Sequence, residues 1–515
     1  VTVGVVLREV TAADARLLFS WRNLPEIVAL GSLNRTVSWE EHERWFAGVV
    51  AERERMVRIV ETDGAPVGQI RFDREGEADR NAVVSIYLLQ PHKGQGLGVE
   101  ALRRGCLEVF ARWPIARVLA FVRAANQASL SAFAKAGFVG TSDDVAHVPE
   151  GHVALAVPRP SPVPHNRLTH DEREVAAVVA VVQSGQWSSG PRVAELEREL
   201  ARCAAVRGAV CVASGTAALR LSLLALGVRR GDTVAMPAYS CVALPNAALA
   251  LSASPTPVDV RPDDFNLDSR GLSGLGSAPR ACIAVHTFGA PADVQAMSSI
   301  APVVEDCSHA FGLSLGGRPL GGLGKVAVIS LYATKLLGAG EGGAVLSDDE
   351  ALLEIVRDYR DYTDKAPNPA RLNDKMTDLC AAIALCQLAK LSDLLHRRQA
   401  LAQRYDQALR RAGVTSEVAL LPDIERARVW YRYAVTMQTP CAQAIVDAMA
   451  CRGVSSARPV DPWCIEPGDR ETAYPVASHA YRSVVSLPLY PSLREEEQQR
   501  VVYAFVQACR ENTAA

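Results

Sequence analysis

Lysine is scarce in this chain. Of its 55 Lys and Arg residues only seven are lysine, so chemistry that needs a primary amine has few candidates. Neither sign of charge is in excess: 57 Asp and Glu leave a net of -2, which argues against nucleic acid or an anionic membrane as main partner. Long apolar runs are missing too, and Val175 to Val182 falls well short of the roughly 20 residues that cross a bilayer. The opening VTVGVVLREV has no basic stretch, long apolar stretch or small-residue cleavage site, so no secretory leader is expected. No Cys-x-x-Cys pair occurs among the 12 cysteines, which run from Cys106 to Cys509. That scatter predicts reduced, buried thiols in a cytoplasmic protein rather than a disulfide framework or a zinc site.

What is present is length and apolar content. The 515 residues, 49% hydrophobic and 22% charged, predict two to four globular domains. The clearest break is ValProArgProSerProValPro at 157–164, where four prolines rule out a continuing helix or central strand. We therefore expect one domain over 1–157 and a linker over 158–164. A large α/β domain over 165–405 and a smaller part over 406–515 would follow.

In the first domain, Thr11 opens a predicted helix. Met56–Glu61 and Pro66–Asp73 read as strands joined by the Asp63-Gly64 turn. The β-rich run Ala82–Leu89 leads into ProHisLysGlyGlnGlyLeuGly at 91–98, and a helix is expected over 99–111. A strand that enters a helix through glycines presents first-turn amides to phosphate oxygens, and Gly94, Gly96 and Gly98 let a pyrophosphate approach the main chain. A dinucleotide fold is not expected, because no βαβ unit with an acidic ribose ligand is legible after this turn.

LysGlyGlnGlyLeuGly at 93–98 resembles the acetyl-CoA loop of the GNAT acyltransferases. Asn126-Gln-Ala-Ser-Leu-Ser-Ala-Phe133 through Gly137-Phe138 resembles their downstream segment. SerTrpArgAsn at 20–23 and TrpGluGluHisGluArgTrpPhe at 39–46 are similar to the subgroup that acetylates amino sugars and protein N-termini. The resemblance implies a GNAT fold, a mixed sheet with helices, in which Lys93, Gly94, Gly96, Leu97, Gly98 and Asn126 bind acetyl-CoA. Phe133 stands where many relatives have the tyrosine that reprotonates the leaving thiolate. Either water or another group replaces that hydroxyl, or the domain is a non-catalytic scaffold. Glu40, Glu41 and His42 lie on the expected acceptor side, but the sequence names no base among them.

In the second part, Ala209–Ala213 reads as a short strand followed by Ser214-Gly215-Thr216 and an apolar helix, a second anion-binding geometry. Asp306 follows an apolar strand, and Ser330 and Lys335 follow another, ahead of a glycine-rich turn. A phosphate cradle, a carboxylate and then a lysine is the order that pyridoxal phosphate (PLP) requires. Of the five lysines after the linker, only Lys335 follows a strand and precedes such a turn.

SerGlyThrAlaAlaLeu (214–219), ProAlaTyrSerCysVal (237–242), ValHisThrPheGlyAlaProAlaAsp (285–293), GluAspCysSerHisAlaPheGly (305–312), AlaGlyGluGlyGlyAlaVal (339–345) and SerLeuProLeuTyrProSerLeu (486–493) resemble the DegT/DnrJ/StrS sugar aminotransferases. That resemblance implies an aspartate-aminotransferase-like, fold type I PLP domain with a small C-terminal α+β subdomain. Gly215 and Thr216 would hold the cofactor phosphate with Ser330 assisting. Asp306 would pair with the pyridine nitrogen, and Lys335 would form the Schiff base and shuttle the proton. His309 stands where many members carry a glutamine against the ring hydroxyl. Asn373, in AsnAspLysMetThrAsp, would reach the phosphate in the neighbouring subunit of a homodimer. The usual stacking aromatic is replaced by Cys241, and Tyr239, two residues earlier, is expected on the same face of an extended segment.

Together the resemblances imply a bifunctional enzyme. It would transaminate a keto-deoxysugar nucleotide, with glutamate as donor, and N-acetylate the new amine with acetyl-CoA. Alternatives are an aminotransferase for a cyclitol or other keto metabolite with a scaffolding first domain, and a sugar dehydratase, which Lys335 argues against. No metal is expected.

Overall fold

The computed structural model describes residues 5–29, 35–51, 54–74, 80–90, 92–141, 148–416, 418–420, 428–464 and 473–512. The chain folds as two compact units, 1–162 and 163–515. Their boundary falls inside the proline-rich stretch, where Val163 is already fully buried in the second unit and pairs with Val454.

The first unit begins with β1 (Val5–Glu9), α1 (Ala15–Arg22), α2 (Pro25–Val28) and α3 (Trp39–Ala51). There follow β2 (Arg55–Thr62), β3 (Ala65–Arg74), β4 (Asn81–Leu88), α4 (Leu97–Arg112), β5 (Arg117–Arg123), α5 (Gln127–Lys135), β6 (Val139–Gly140) and β7 (His152–Pro158). One sheet runs β1-β2-β3-β4-β5-β7-β6. Thr11 starts a single 3₁₀ turn, Ala12–Asp14, before α1, and α4 begins two residues earlier than expected. Along β3, Ile70 and Phe72 alternate toward α4, where Gly105 leaves room for the Phe72 ring. One expectation is corrected: β4, α4 and β5 do form a parallel βαβ unit.

In the second unit, α6 (Glu172–Ser184) and α7 (Pro191–Ala204) precede β8 (Gly208–Val212), α8 (Gly215–Ala225), β9 (Thr233–Pro237), α9 (Ala243–Leu249) and β10 (Ser254–Val258). Then come α10 (Ser269–Ser273), β11 (Ala281–Val285), α11 (Val294–Ser298), β12 (Val303–Asp306), the hairpin β13 (Ser314–Leu315) and β14 (Arg318–Pro319), β15 (Val326–Ser330), β16 (Gly343–Ser347) and α12 (Glu350–Tyr359). The sheet order is β10-β9-β11-β12-β15-β16-β8, all parallel except β16. Every residue of β11 is buried, as expected for a parallel strand covered on both faces. The strand ends at Val285, Asp306 and Ser330 therefore open on one edge, the usual place for a ligand in such a sheet.

Helices α13 (Asp378–Ala389) and α14 (Leu391–Arg411) lead to a small sheet of β17 (Val418–Leu420), β18 (Tyr433–Met437) and β19 (Val484–Leu487). Helices α15 (Ala442–Cys451), α16 (Pro475–Ser483) and α17 (Glu495–Asn512) complete this part. Its core gathers Leu401, Tyr405, Val435, Ile445, Val485 and Phe505. Among the described residues no single helix is long and apolar enough to cross a membrane. No disulfide joins the 12 cysteines, and not all are buried: Cys241 and Cys451 are exposed.

Candidate active sites

In the second unit the site begins where β8 turns into α8. Ser214 caps the helix by accepting from the Ala217 N–H at 3.1 Å. The first-turn amides of a helix have no intrahelical acceptor, so those of Gly215 and Thr216 are available to an anion. A Cβ on Gly215 would lie 2.7 Å from Ser330 Cβ, so only glycine lets the helix start meet the end of β15 this closely. Thr216 is exposed at this edge and Ser330 half-buried.

Asp306 ends β12 with its carboxylate nearly buried. Its Oδ1 accepts from the Ser308 N–H at 2.9 Å, and Ser308 Oγ accepts from the Ser330 N–H at 2.9 Å. One short chain of bonds thus ties the carboxylate to the cradle. Beyond it lies His309, whose Nε2 is 2.9 Å from the Lys335 amine. The loop bearing Lys335 is closed by backbone bonds from Ala333 to Gly340 and from Ala339 to Leu331.

The His309 ring stacks on Tyr431, with centroids 4.1 Å apart and planes 14° from parallel. Burial, then the charges of Lys335 and Arg432, push its pKa well below the ordinary value, so the imidazole is neutral. Where the Lys335 amine donates to Nε2, the single ring proton lies on Nδ1. That Nδ1 is buried with no hydrogen-bond partner. Tyr431 holds Lys335 Nζ 5.1 Å from its ring centroid. Burial would raise its phenol, but Lys335 and Arg432 outweigh burial and bring it down to about 8.

These residues fit pyridoxal phosphate: an anion cradle with no room for a Cβ, a carboxylate, an amine, and a buried N–H awaiting an acceptor. The structure brings together Gly215, Ser330, Asp306, His309 and Lys335. Asn373 is exposed, in a stretch lying along β8 where the Ala213 N–H donates to Asp374 O at 2.7 Å. Tyr239 does not take the place beside Cys241. The chain bends at 238–240 instead of continuing extended, and the Tyr239 ring is buried against Phe265, Phe288 and Tyr481, while Cys241 is exposed. Sequence reasoning missed Tyr431, Arg432 and the buried Arg398. Arg398 Nη1 donates to the Tyr431 and Leu489 carbonyls at 3.0 and 2.9 Å. Nothing local marks these residues, since the small part of the fold delivers Tyr431 and Arg432 from far along the chain.

Nearby, His286, Glu305 and Cys307 bring three donor atoms within 4.8 Å of one another. Both His286 and Glu305 are already committed. His286 bonds Glu305 and the Ala292 N–H, and Glu305 also accepts from the N–H groups of Gly321, Leu323 and Gly324. The trio is a structural knot.

In the first unit, Gly94 and Gly96 hold φ of +82° and +81°, and Gly96 precedes the first turn of α4. Lys93 is exposed beside them. The Leu97 side chain is fully buried, leaving only its backbone for a ligand, and Gly98 sits against Leu88. β4 and β5 pair only from Asn81 to Val83, so the rest of β4 is open on that side just before the glycine turn. Asn126 Oδ1 is spent capping α5 through the Ser129 N–H at 3.1 Å. Phe133 is buried edge-on to Phe138, with centroids 4.9 Å apart. No base emerges from the expected group. Glu41 is paired with Arg35, which holds it down at about 2. His42 is buried among Phe19, Trp39, Trp45 and Phe46, its Nε2 bonded to Ala15 O at 2.8 Å.

Residues 168–506 match the model of the DegT/DnrJ/EryC1/StrS aminotransferase family, and residues 5–139 match that of an acetyltransferase (GNAT) domain. Among solved structures, the aminotransferase TlmJ from Streptoalloteichus hindustanus is 28% identical at a TM-score of 0.62, covering 69% of this chain and 100% of its own. DesV from S. venezuelae, in complex with a ketimine intermediate, is 30% identical with a TM-score of 0.60, covering 66% and 94%. NtdA from Bacillus subtilis, with bound cofactor PMP, is 27% identical at 0.60, covering 68% and 86%.

Proposed function

This chain belongs to the DegT/DnrJ/EryC1/StrS aminotransferase family, and from that premise we propose that it aminates a keto-deoxysugar nucleotide and then acetylates the new amine. The observation that carries the first step is Lys335, just past the end of β15, its amine 2.9 Å from a buried neutral histidine. Pyridoxal phosphate, when bound, supplies the electron sink that lets an amino group pass from an amino acid such as glutamate to a ketone. The chain's own part is placement. Gly215, Thr216 and Ser330 would hold the cofactor's phosphate, Asp306 would keep its ring nitrogen protonated, His309 would face its ring hydroxyl, and Lys335 would serve as the proton-carrying amine.

Acetylation would follow in the first unit, with the turn at Lys93 to Gly98 receiving the acetyl-CoA diphosphate. Asn126 stays in this reading through its side-chain NH₂, its carbonyl being taken by the helix cap. Two successive steps on one chain raise the effective concentration of the intermediate amine. A homodimer belongs to the same reading, with Asn373 serving the partner's site. It is supported by α6, whose Val175, Val179 and Val182 are each about half exposed along one face, beside an exposed Trp187. The cytoplasm is the proposed compartment.

The test uses the purified full chain. With PLP it should show the visible absorption of a lysine-linked cofactor, and borohydride should fix the cofactor on the peptide containing Lys335. A lysine adduct that survives Lys335→Ala sinks the assignment. With acetyl-CoA and an amino-sugar nucleotide, free thiol should appear. Silence across a broad amine panel would favour a scaffolding first unit.

A further inference from the structure

The last turn of α1 carries a guanidinium with nothing to bind. Arg22 is half-buried, makes no ion pair or hydrogen bond with any described residue, and its Nη1 is shielded from solvent. A cation suits the end of a helix, but the helix dipole gives no acceptor to a buried N–H. Elsewhere in the first unit arginines find carboxylates readily, as Arg8 does with Asp14 at 2.7 Å. A buried donor left unpaired is costly, and a bound oxyanion would offset that cost.

Its surroundings place it on the face opposite α4. The next residue, Asn23, donates to Val37 O at 3.0 Å and accepts from the Val37 N–H at 2.8 Å, which anchors the end of α1 ahead of α3. Along β3 and β4 the side chains alternate. Ile70, Phe72 and Leu88 turn to α4, so Gln69, Arg71 and Tyr87 turn to α1. There the Tyr87 phenol donates to Gln69 Oε1 at 2.9 Å, and Trp21 meets its ring edge-on at 6.5 Å. Burial pushes this phenol far up while Arg22 and Arg71 pull it down, so both guanidinium groups lie within electrostatic reach of its hydroxyl. The carboxylate of Asp73 is already shared by Arg55 and Arg71, each at 2.7 Å. Tyr87 also stands on the stretch of β4 that β5 leaves open. A molecule seated on Arg22 can therefore present an amine to that opening, away from the glycine turn that would take the CoA diphosphate.

We infer that Arg22 holds a phosphate oxyanion of the amine acetylated by the first unit, so that its acceptor class is an amino sugar bearing a phosphate and not an uncharged amino sugar. This rests on the acetyltransferase reading above. The planar fork of the guanidinium matches two phosphate oxygens. A sugar phosphate and the diphosphate of a sugar nucleotide offer the same oxyanion, and glucosamine 1-phosphate and UDP-glucosamine separate the two sources.

The full chain, loaded with PLP and saturated with CoA, is titrated by calorimetry with UDP-glucosamine, glucosamine 1-phosphate and glucosamine. Arg22→Gln should raise the Kd of UDP-glucosamine roughly tenfold to a hundredfold, the size of a charge-assisted pair, and leave glucosamine unchanged. An equal loss with glucosamine 1-phosphate assigns the contact to a sugar phosphate, and a loss with UDP-glucosamine alone assigns it to the nucleotide diphosphate. Nucleotide bound in the second unit is indifferent to this change, so the difference between the isotherms belongs to the first. Arg22→Lys, which keeps the charge but loses the fork, should recover part of the affinity. The melting temperature should not fall in Arg22→Gln, since the side chain has no partner to lose. Where acetyl transfer to UDP-glucosamine releases thiol, KM should rise while kcat stays within a few-fold. Unchanged binding of both phosphates in Arg22→Gln overturns the inference, as does a wild type that binds neither. A variant that loses CoA affinity instead also overturns it, because the guanidinium would then read the cofactor. If the wild type binds no CoA the acetyltransferase reading fails, whereas the same titrations without CoA still decide the role of Arg22.

Discussion

The amine of Lys335 and Nε2 of His309 are 2.9 Å apart, and the other ring nitrogen of His309 is buried without a partner. A buried N–H with no acceptor destabilises the empty protein and becomes useful only when a ligand supplies one. His309→Phe keeps the flat stack on Tyr431 and removes the orphan. The variant should melt no lower than wild type without PLP, yet bind PLP at least about tenfold more weakly. Thermal melting and a PLP titration measure both. A variant that binds PLP as tightly as wild type refutes a cofactor-facing role for Nδ1.

Gly289 sits at φ +89°, and a Cβ there would come 1.7 Å from the Val429 carbonyl oxygen. The same turn accepts the Val429 N–H, so it ties the large sheet's edge to the strand entry that presents Tyr431. Gly289→Ala must move this backbone. We expect a loss of at least about 3 kcal/mol, in the range reserved for backbone strain and clashes within a packed region. Urea unfolding is the measurement, and a loss under 1 kcal/mol would show that the turn relaxes freely.

Much of this site was legible because its residues lie within or just after short motifs that change period at strand ends. Asp306 and Ser330 end apolar strands, Gly215 and Lys335 follow them, and parallel strands bring such ends to one edge whatever lies between them. Lysine scarcity then singled out Lys335. What failed were inferences about side-chain direction. Tyr239 was placed beside Cys241 by assuming an extended segment, but the chain bends there and the ring is claimed by Phe265, Phe288 and Tyr481. The βαβ unit of the first half went unseen because its parallel pairing is only three residues long. Tyr431 and Arg432 were invisible for a different reason. Their neighbours are set by the docking of the small subdomain, and no local pattern encodes that.

The glycine cradle gives a sharper test of which side chains limit the site. In Gly215→Ala the new Cβ would lie 2.7 Å from Ser330 Cβ and 2.9 Å from its Oγ. PLP affinity should fall tenfold or more, with a modest drop in melting temperature. Adding Ser330→Gly removes both clashing atoms and should restore the melting temperature. Affinity should recover only in part, because the hydroxyl that assists the phosphate is gone. Full recovery of affinity in the double variant would show that Ser330 contributes no bond.

Acid should weaken the protein well before its carboxylates titrate. Burial, followed by the charge of Arg432, pushes His165 down to about 3, and burial, Lys335 and Arg432 push His309 well below its ordinary value. In the unfolded chain both return to about 6.5. Between those values the unfolded state binds protons that the folded state refuses, so stability rises with pH and is lost as pH falls below 6.5. Each histidine contributes at most about 1.4 kcal/mol per pH unit in that window. Free carboxylates titrate near 4, so a comparison of pH 7 with pH 5 reads mainly the histidines, Asp264 apart, whose carboxyl burial raises. The urea midpoint of the second unit should be lower at pH 5, and His165→Gln should shrink the difference. Equal midpoints at the two pH values would mean that these imidazoles are charged in the folded protein, and the neutral His309 assigned to the site would fall with them.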